Sequence, residues 1–152
     1  MIKLLDLLKE SVQYTSWVKP STDSLKKEFK IEHELKNHDF FDSEEEFLEA
    51  ARKAQVVTIT PSEDARIAYR SRTDSKEELL SLIKGYRSYP KYRNEKTLDN
   101  MYNRFEQNEP MDMPIVIEFN TGQRRIFGGN TRMDIAFQLG INPKVLLVKS
   151  SR

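Results

Sequence analysis

Ile126-Phe127-Gly128-Gly129-Asn130-Thr131-Arg132-Met133-Asp134-Ile135-Ala136-Phe137-Gln138-Leu139-Gly140 reads as the end of a strand, a glycine turn and a helix closed by a last glycine. Glycine admits positive φ and lets another group approach the backbone closely. A helix start offers N–H groups without intrahelical partners and a partial positive charge. Together these favour an anion, and a phosphate is the usual occupant. Arg132 falls in the first turn and can add a bidentate contact. Asn130 and Thr131 supply neutral hydrogen-bonding groups, and Thr131 with Asp134 fits a capping box. The same paired glycines also suit a plain tight turn with a cap, so the local pattern leaves both readings open.

Working outward, Pro114 to Phe119 (PIVIEF) reads as a strand, Asn120-Thr121-Gly122 as a hairpin turn and Arg124 to Phe127 as the returning strand. The helix is expected from about Thr131 to Leu139, and Lys144 to Val148 (KVLLV) closes as a buried strand. Hairpin, helix and strand in that order predict a small mixed sheet with helices packed on it, an α+β fold.

Upstream, Gln55 to Thr60 (QVVTIT) is β-branched and bounded by Pro61, and predicts another strand, with Pro61 to Asp64 as a loop. Ser43 with Glu46, and Ser75 with Glu78, mark two helix starts. Gly85 ends the second of these. Leu98, Met101, Tyr102 and Phe105 form a helical stripe that Pro110 stops. A helix is expected after Ser21, with Leu25, Phe29 and Leu35 inward, and an amphipathic one at the start, with Ile2, Leu5 and Leu8 on one side. These give residues 1–54 as a helical extension and 55–149 as the main domain. Trp17 is expected to tie the extension down by packing.

The chain has 152 residues, 38% hydrophobic and 32% charged, with a net charge of +1. That balance supports a modest core and provides no global field for nucleic acid. The charge is uneven: residues 1–64 lean acidic, whereas 66–96 lean basic. No apolar run approaches the ~18 residues that span a bilayer, and the N-terminus does not read as a secretory signal. The absence of cysteine excludes disulfides, thiolate metal sites and a cysteine nucleophile, and fits a reducing compartment.

The stretch from Ile126 to Gly140, with the early strand and the hairpin, resembles the ParB/sulfiredoxin superfamily over roughly Val56 to Val148. The resemblance implies a ParB/sulfiredoxin-like domain and a phosphate-binding role for Gly129 and Arg132. Sulfiredoxins carry Gly-Gly-Cys-His-Arg at this turn. Asn130 and Thr131 replace the cysteine and histidine here, which excludes sulfinic-acid reduction through that thiol. ParB proteins carry Gly-Glu-Arg-Arg, which binds CTP; Gly129 and Arg132 match. No helix-turn-helix domain follows within 152 residues, so ParB-type DNA partition is not expected. The superfamily's free-serine kinases carry Asp-Gly-His-His-Arg, with a catalytic glutamate after the first strand. Glu63 is similar in placement and Arg132 matches, whereas Gly128 replaces the aspartate and both histidines are absent.

Two functional expectations follow, from different classes. In the first, the chain is a nucleotide-phosphate-binding phosphotransferase or nucleotide hydrolase using ATP or CTP, with Mg²⁺. Gly128, Gly129, Asn130, Thr131 and Arg132 hold the phosphates, Glu63 is the base, and Asp64 is a candidate metal ligand. In the second, the same turn holds a backbone phosphate of a nucleic acid in a nuclease-like module. Arg70, Arg72 and the Tyr86 to Arg93 loop, with Arg87 and Arg93, guide the strand, with tyrosines available for stacking. A blander alternative is a partner-binding relative without catalysis, and Glu63 and Asp64 also read as a solvated loop pair. His33 and His38, five apart, do not share a helix face and read as surface residues. The extension is expected to pack on the domain or to mediate a homo-oligomer. The family type points to a cytoplasmic protein without a membrane partner, and by resemblance to a phage or mobile element.

Overall fold

The computed structural model describes residues 13–34, 40–68, 73–85 and 94–152. The fold is α+β. In chain order it runs β1 (Trp17–Val18), α1 (Thr22–Glu34), α2 (Glu44–Arg52), β2 (Gln55–Thr58), α3 (Pro61–Asp64), β3 (Ile67–Ala68), α4 (Lys76–Lys84) and α5 (Glu95–Glu106). Then come β4 (Met111–Asp112), β5 (Ile115–Glu118), β6 (Arg124–Gly128), α6 (Asn130–Gln138) and β7 (Lys144–Lys149).

Among the described residues, five strands form a mixed sheet in the order β2-β7-β5-β6-β3. The central strands β5 and β7 are parallel, β5 and β6 form the antiparallel hairpin, and β2 adds antiparallel to β7. Gly122, at φ 85°, turns the hairpin. The run of apolar residues in β5 and β7 is what a strand buried on both faces requires. A second, two-stranded sheet pairs β1 with β4 in parallel.

The two faces of the main sheet are covered differently. Ile115, Ile117, Phe127, Leu146 and Val148 face α1 and α2, packing with Leu25, Phe40, Phe41 and Phe47. Phe47 and Phe127 stack at 4.9 Å between centroids. Val116, Ile126, Val145 and Leu147 face the other way and pack with Met133 of α6. Beyond α6, its Ile135 and Ala136 meet Leu79, Ile83, Leu98 and Phe105 of α4 and α5. Each large apolar side chain fully buried in these layers contributes roughly 1.5–3 kcal/mol relative to exposure.

Ser43 and Ser75 cap α2 and α4 through the amides of Glu46 and Glu78, as their spacing predicts. Trp17 packs edge-on against Tyr14 and Phe105, tying the start of the described chain to α5. Several expectations need correction. Pro61 to Asp64 is one turn of helix, because the Thr60 side chain caps the Glu63 amide and proline suits the first turn. α5 ends at Glu106, four residues before Pro110, and Asn108 turns the chain there at φ 53°. The Thr131–Asp134 capping box does not form: Gly129 is the N-cap, α6 begins at Asn130, and the Asp134 carboxylate accepts from Thr73 at 3.0 Å. The strands β1, β3 and β4 were not expected. The N-terminal amphipathic helix and the inward Leu35 lie outside the described residues. So does His38; His33 lies in α1, its side chain outside the description. Among the described residues, no helix is long and apolar enough to cross a membrane.

Candidate functional site

The register of the hairpin slips just before the glycine turn. Ile115 pairs with Gly128 and Val116 with Ile126, so Phe127 is an extra residue on β6. Such a bulge bends its strand. Here the bend sits immediately ahead of Gly129, which takes the left-handed conformation at φ 90° and ψ 26° and starts α6 with no side-chain cap. Glycine is required there twice over. A Cβ on Gly129 would be strained at that φ, and it would lie 2.8 Å from Arg132 Nη2 and 2.9 Å from Pro114 Cβ.

Arg132 is the cation of the turn. Its Nη1 donates to the Asp112 carbonyl of β4 at 3.0 Å, and its Nη2 donates to Glu28 Oε1 of α1 at 3.3 Å. The pair is mostly withdrawn from solvent, with side-chain exposures of 15% for Arg132 and 25% for Glu28. The Glu28 carboxyl also rests against Gly128, where an added Cβ would fall 2.8 Å from its carbon and from Oε2. Gly128 therefore makes room for a carboxylate.

From the same guanidinium opens a cavity of about 510 Å³. It is lined by Arg132, Asp112, Val18, Pro110 and Met111, and by Thr97, Asn100, Met101 and Arg104 of α5. It joins two arginines, one aspartate, two neutral hydrogen-bonding side chains and an apolar lining, a net positive combination that can take an anionic ligand with an apolar part. Arg104 is steadied by the Pro110 carbonyl, to which its Nη1 donates at 3.3 Å. Burial pushes the nearby Tyr14 phenol up to about 12, a backbone hydrogen bond at Met111 and the charges of Arg104 and Arg132 only partly opposing it.

The other residues picked out from sequence fall as follows. Asn130 and Thr131 are buried in the first turn of α6. Glu63 sits in α3, where its carboxylate accepts from Thr60 Oγ1 at 3.0 Å. Asp64 is 2% exposed, so the pair is not a solvated loop pair. Thr58 pairs with Lys144, while Ile115 pairs with Leu146 and Gly128, so the chain leaves β2 and β6 at the same end of the sheet. Segment 59–66 then crosses from the β2 edge to the β3 edge on the α6 side, anchored by Ile59 and Ile67 against Met133. Arg70, Arg72, Arg87 and Arg93, which carry the strand-guiding reading, lie outside the described residues.

Comparison with protein-family models, with curated proteins and with solved structures finds no match to this chain. Sequence reasoning missed Glu28, Arg104 and Asp112. For Glu28 a signal existed: Leu25, Glu28, Phe29 and Glu32 share one helical stripe, and Glu32 is 2% exposed. Acids within the core-facing stripe of a helix call for partners across the fold. Nothing comparable marks Asp112, whose placement depends on β4 pairing with β1, or Arg104, an exposed residue of α5.

Proposed function

We propose that this chain is a nucleotide-phosphate-binding protein of the ParB/sulfiredoxin type, acting as a phosphotransferase or nucleotide hydrolase. One observation carries the reading. The guanidinium of Arg132, projected from the first turn after a left-handed glycine, forms a wall of a cavity that Arg104 also lines. Arg132 and Arg104 are the proposed phosphate contacts, whereas Gly128, Gly129, Asn130 and Thr131 are not among the residues that line this cavity and would meet only a phosphate seated on the turn side of Arg132. Met101, Met111 and Val18 offer apolar contact to a base or sugar, and Asn100 and Thr97 offer hydrogen bonds to its edge. ATP or CTP, with Mg²⁺, is the expected ligand. Glu63, the base expected from sequence, accepts from Thr60 and is not among the residues that line this cavity, so its part in the reaction is a proposal from the resemblance alone. The order of hairpin, glycine turn, helix and parallel strand supports the family resemblance.

The test is a thermal-shift series with ATP and CTP in the presence of Mg²⁺. At about 100 times Kd, binding to the native state adds about 2.7 kcal/mol, a rise of several degrees for a chain of this size. Arg132→Ala is expected to abolish it. An unchanged midpoint with every nucleotide contradicts the proposal.

A further inference from the structure

A phosphate at Arg132 meets an anion already in place. The Glu28 carboxylate lies against Gly128, with an added Cβ 2.8 Å from its Cδ and Oε2 and 3.1 Å from Oε1. Oε1 also accepts from Arg132 Nη2 at 3.3 Å. The arginine is not free to turn away, since Nη1 is held by the Asp112 carbonyl. Nor does α1 move easily. Leu25 is buried in the phenylalanine core and Phe29 packs against it, with Phe29 stacked on Phe47 at 5.6 Å. What can move is the glutamate side chain, which has three rotatable bonds and a quarter of its surface in solvent.

We propose that Glu28 is an internal competitor for the phosphate seat, so that a ligand anion binds by displacing the α1 carboxylate from Arg132. The inference rests on the phosphate reading of the site and adds its regulation and a class of ligand. Displacement forfeits the Glu28–Arg132 pair and leaves two negative groups side by side in a half-buried place, where charges are weakly screened. A single phosphate recovers little of that. A di- or triphosphate reaches Arg132 and also places charge on the Arg104 side of the cavity. The seat thus favours polyphosphates over inorganic phosphate, and α1 senses whether it is filled.

The test is calorimetric titration of inorganic pyrophosphate into the full chain, Glu28→Gln and Arg132→Ala. Glutamine keeps the size of glutamate and removes its charge. Glu28→Gln is expected to bind about tenfold more tightly than the unaltered chain, and Arg132→Ala to lose binding. Glu28→Asp, which keeps the charge but withdraws it from Gly128 by one methylene, is expected to fall between and serves if the glutamine variant does not fold. Equal or weaker binding by the Glu28 variants, with loss in Arg132→Ala, overturns the competitor and leaves the phosphate seat standing. Absence of binding in all four overturns both.

Discussion

On one flank of α6, Tyr102 donates to the Gln138 side chain, Gln138 Nε2 donates to Thr73 Oγ1 at 3.4 Å, and Thr73 donates to the Asp134 carboxylate at 3.0 Å. Burial pushes the Tyr102 phenol up to about 12, with the Gln138 hydrogen bond opposing and Asp134 adding to the rise. On the other flank, Arg132 and Glu28 form a partly exposed charge pair beside a cavity. The same nine-residue helix thus carries a hydrogen-bonded chain running in from Tyr102 to buried Asp134, and a pair that stops short of full enclosure. A satisfied buried network specifies packing. A charge pair of which only the arginine lines a cavity adds little stability for its desolvation cost, which is what a site that exchanges partners requires.

Substitutions separate the two flanks. The largest effect is expected at the turn that aims Arg132. Gly129→Ala combines left-handed strain with the Pro114 and Arg132 contacts and should cost about 2–4 kcal/mol in denaturant unfolding. Gly128→Ala meets only the end of the flexible Glu28 side chain and should cost clearly less. Equal costs would remove the distinction between a backbone requirement and a side-chain accommodation. The next effect belongs to the polar chain. Thr73→Val keeps shape but deprives Asp134 of a donor and should cost about 1–3 kcal/mol. Pyrophosphate affinity should stay unchanged; a matching fall in affinity would mean that the two flanks are one unit.

Much of the frame was legible from local chemistry. The Asn120-Thr121-Gly122 turn fixed the hairpin, and the KVLLV run could bury both faces only as a central strand. The capping serines placed α2 and α4 within a residue. The strands β1, β3 and β4 are two residues each, too short for any periodicity to show. They exist because their neighbours supply pairing, as when β4 pairs beside Trp17 and Val18. The site was half legible. Gly129 and Arg132 stood out because a left-handed start and a first-turn cation are local features. Thr131 and Asp134 misled because a cap-like spacing was outcompeted by Thr73, 61 residues away in sequence. Glu28 faces Arg132 across 104 residues, a pairing that only the tertiary fold creates.

Amide-resolved NMR during a pyrophosphate titration tests the anion seat most directly. The account predicts that the amides of Gly128 to Arg132 move first and furthest, with Glu28 responding as its carboxylate leaves, and that Arg132→Ala silences these changes. Shifts confined to exposed lysines, or none at the glycine turn, would contradict it.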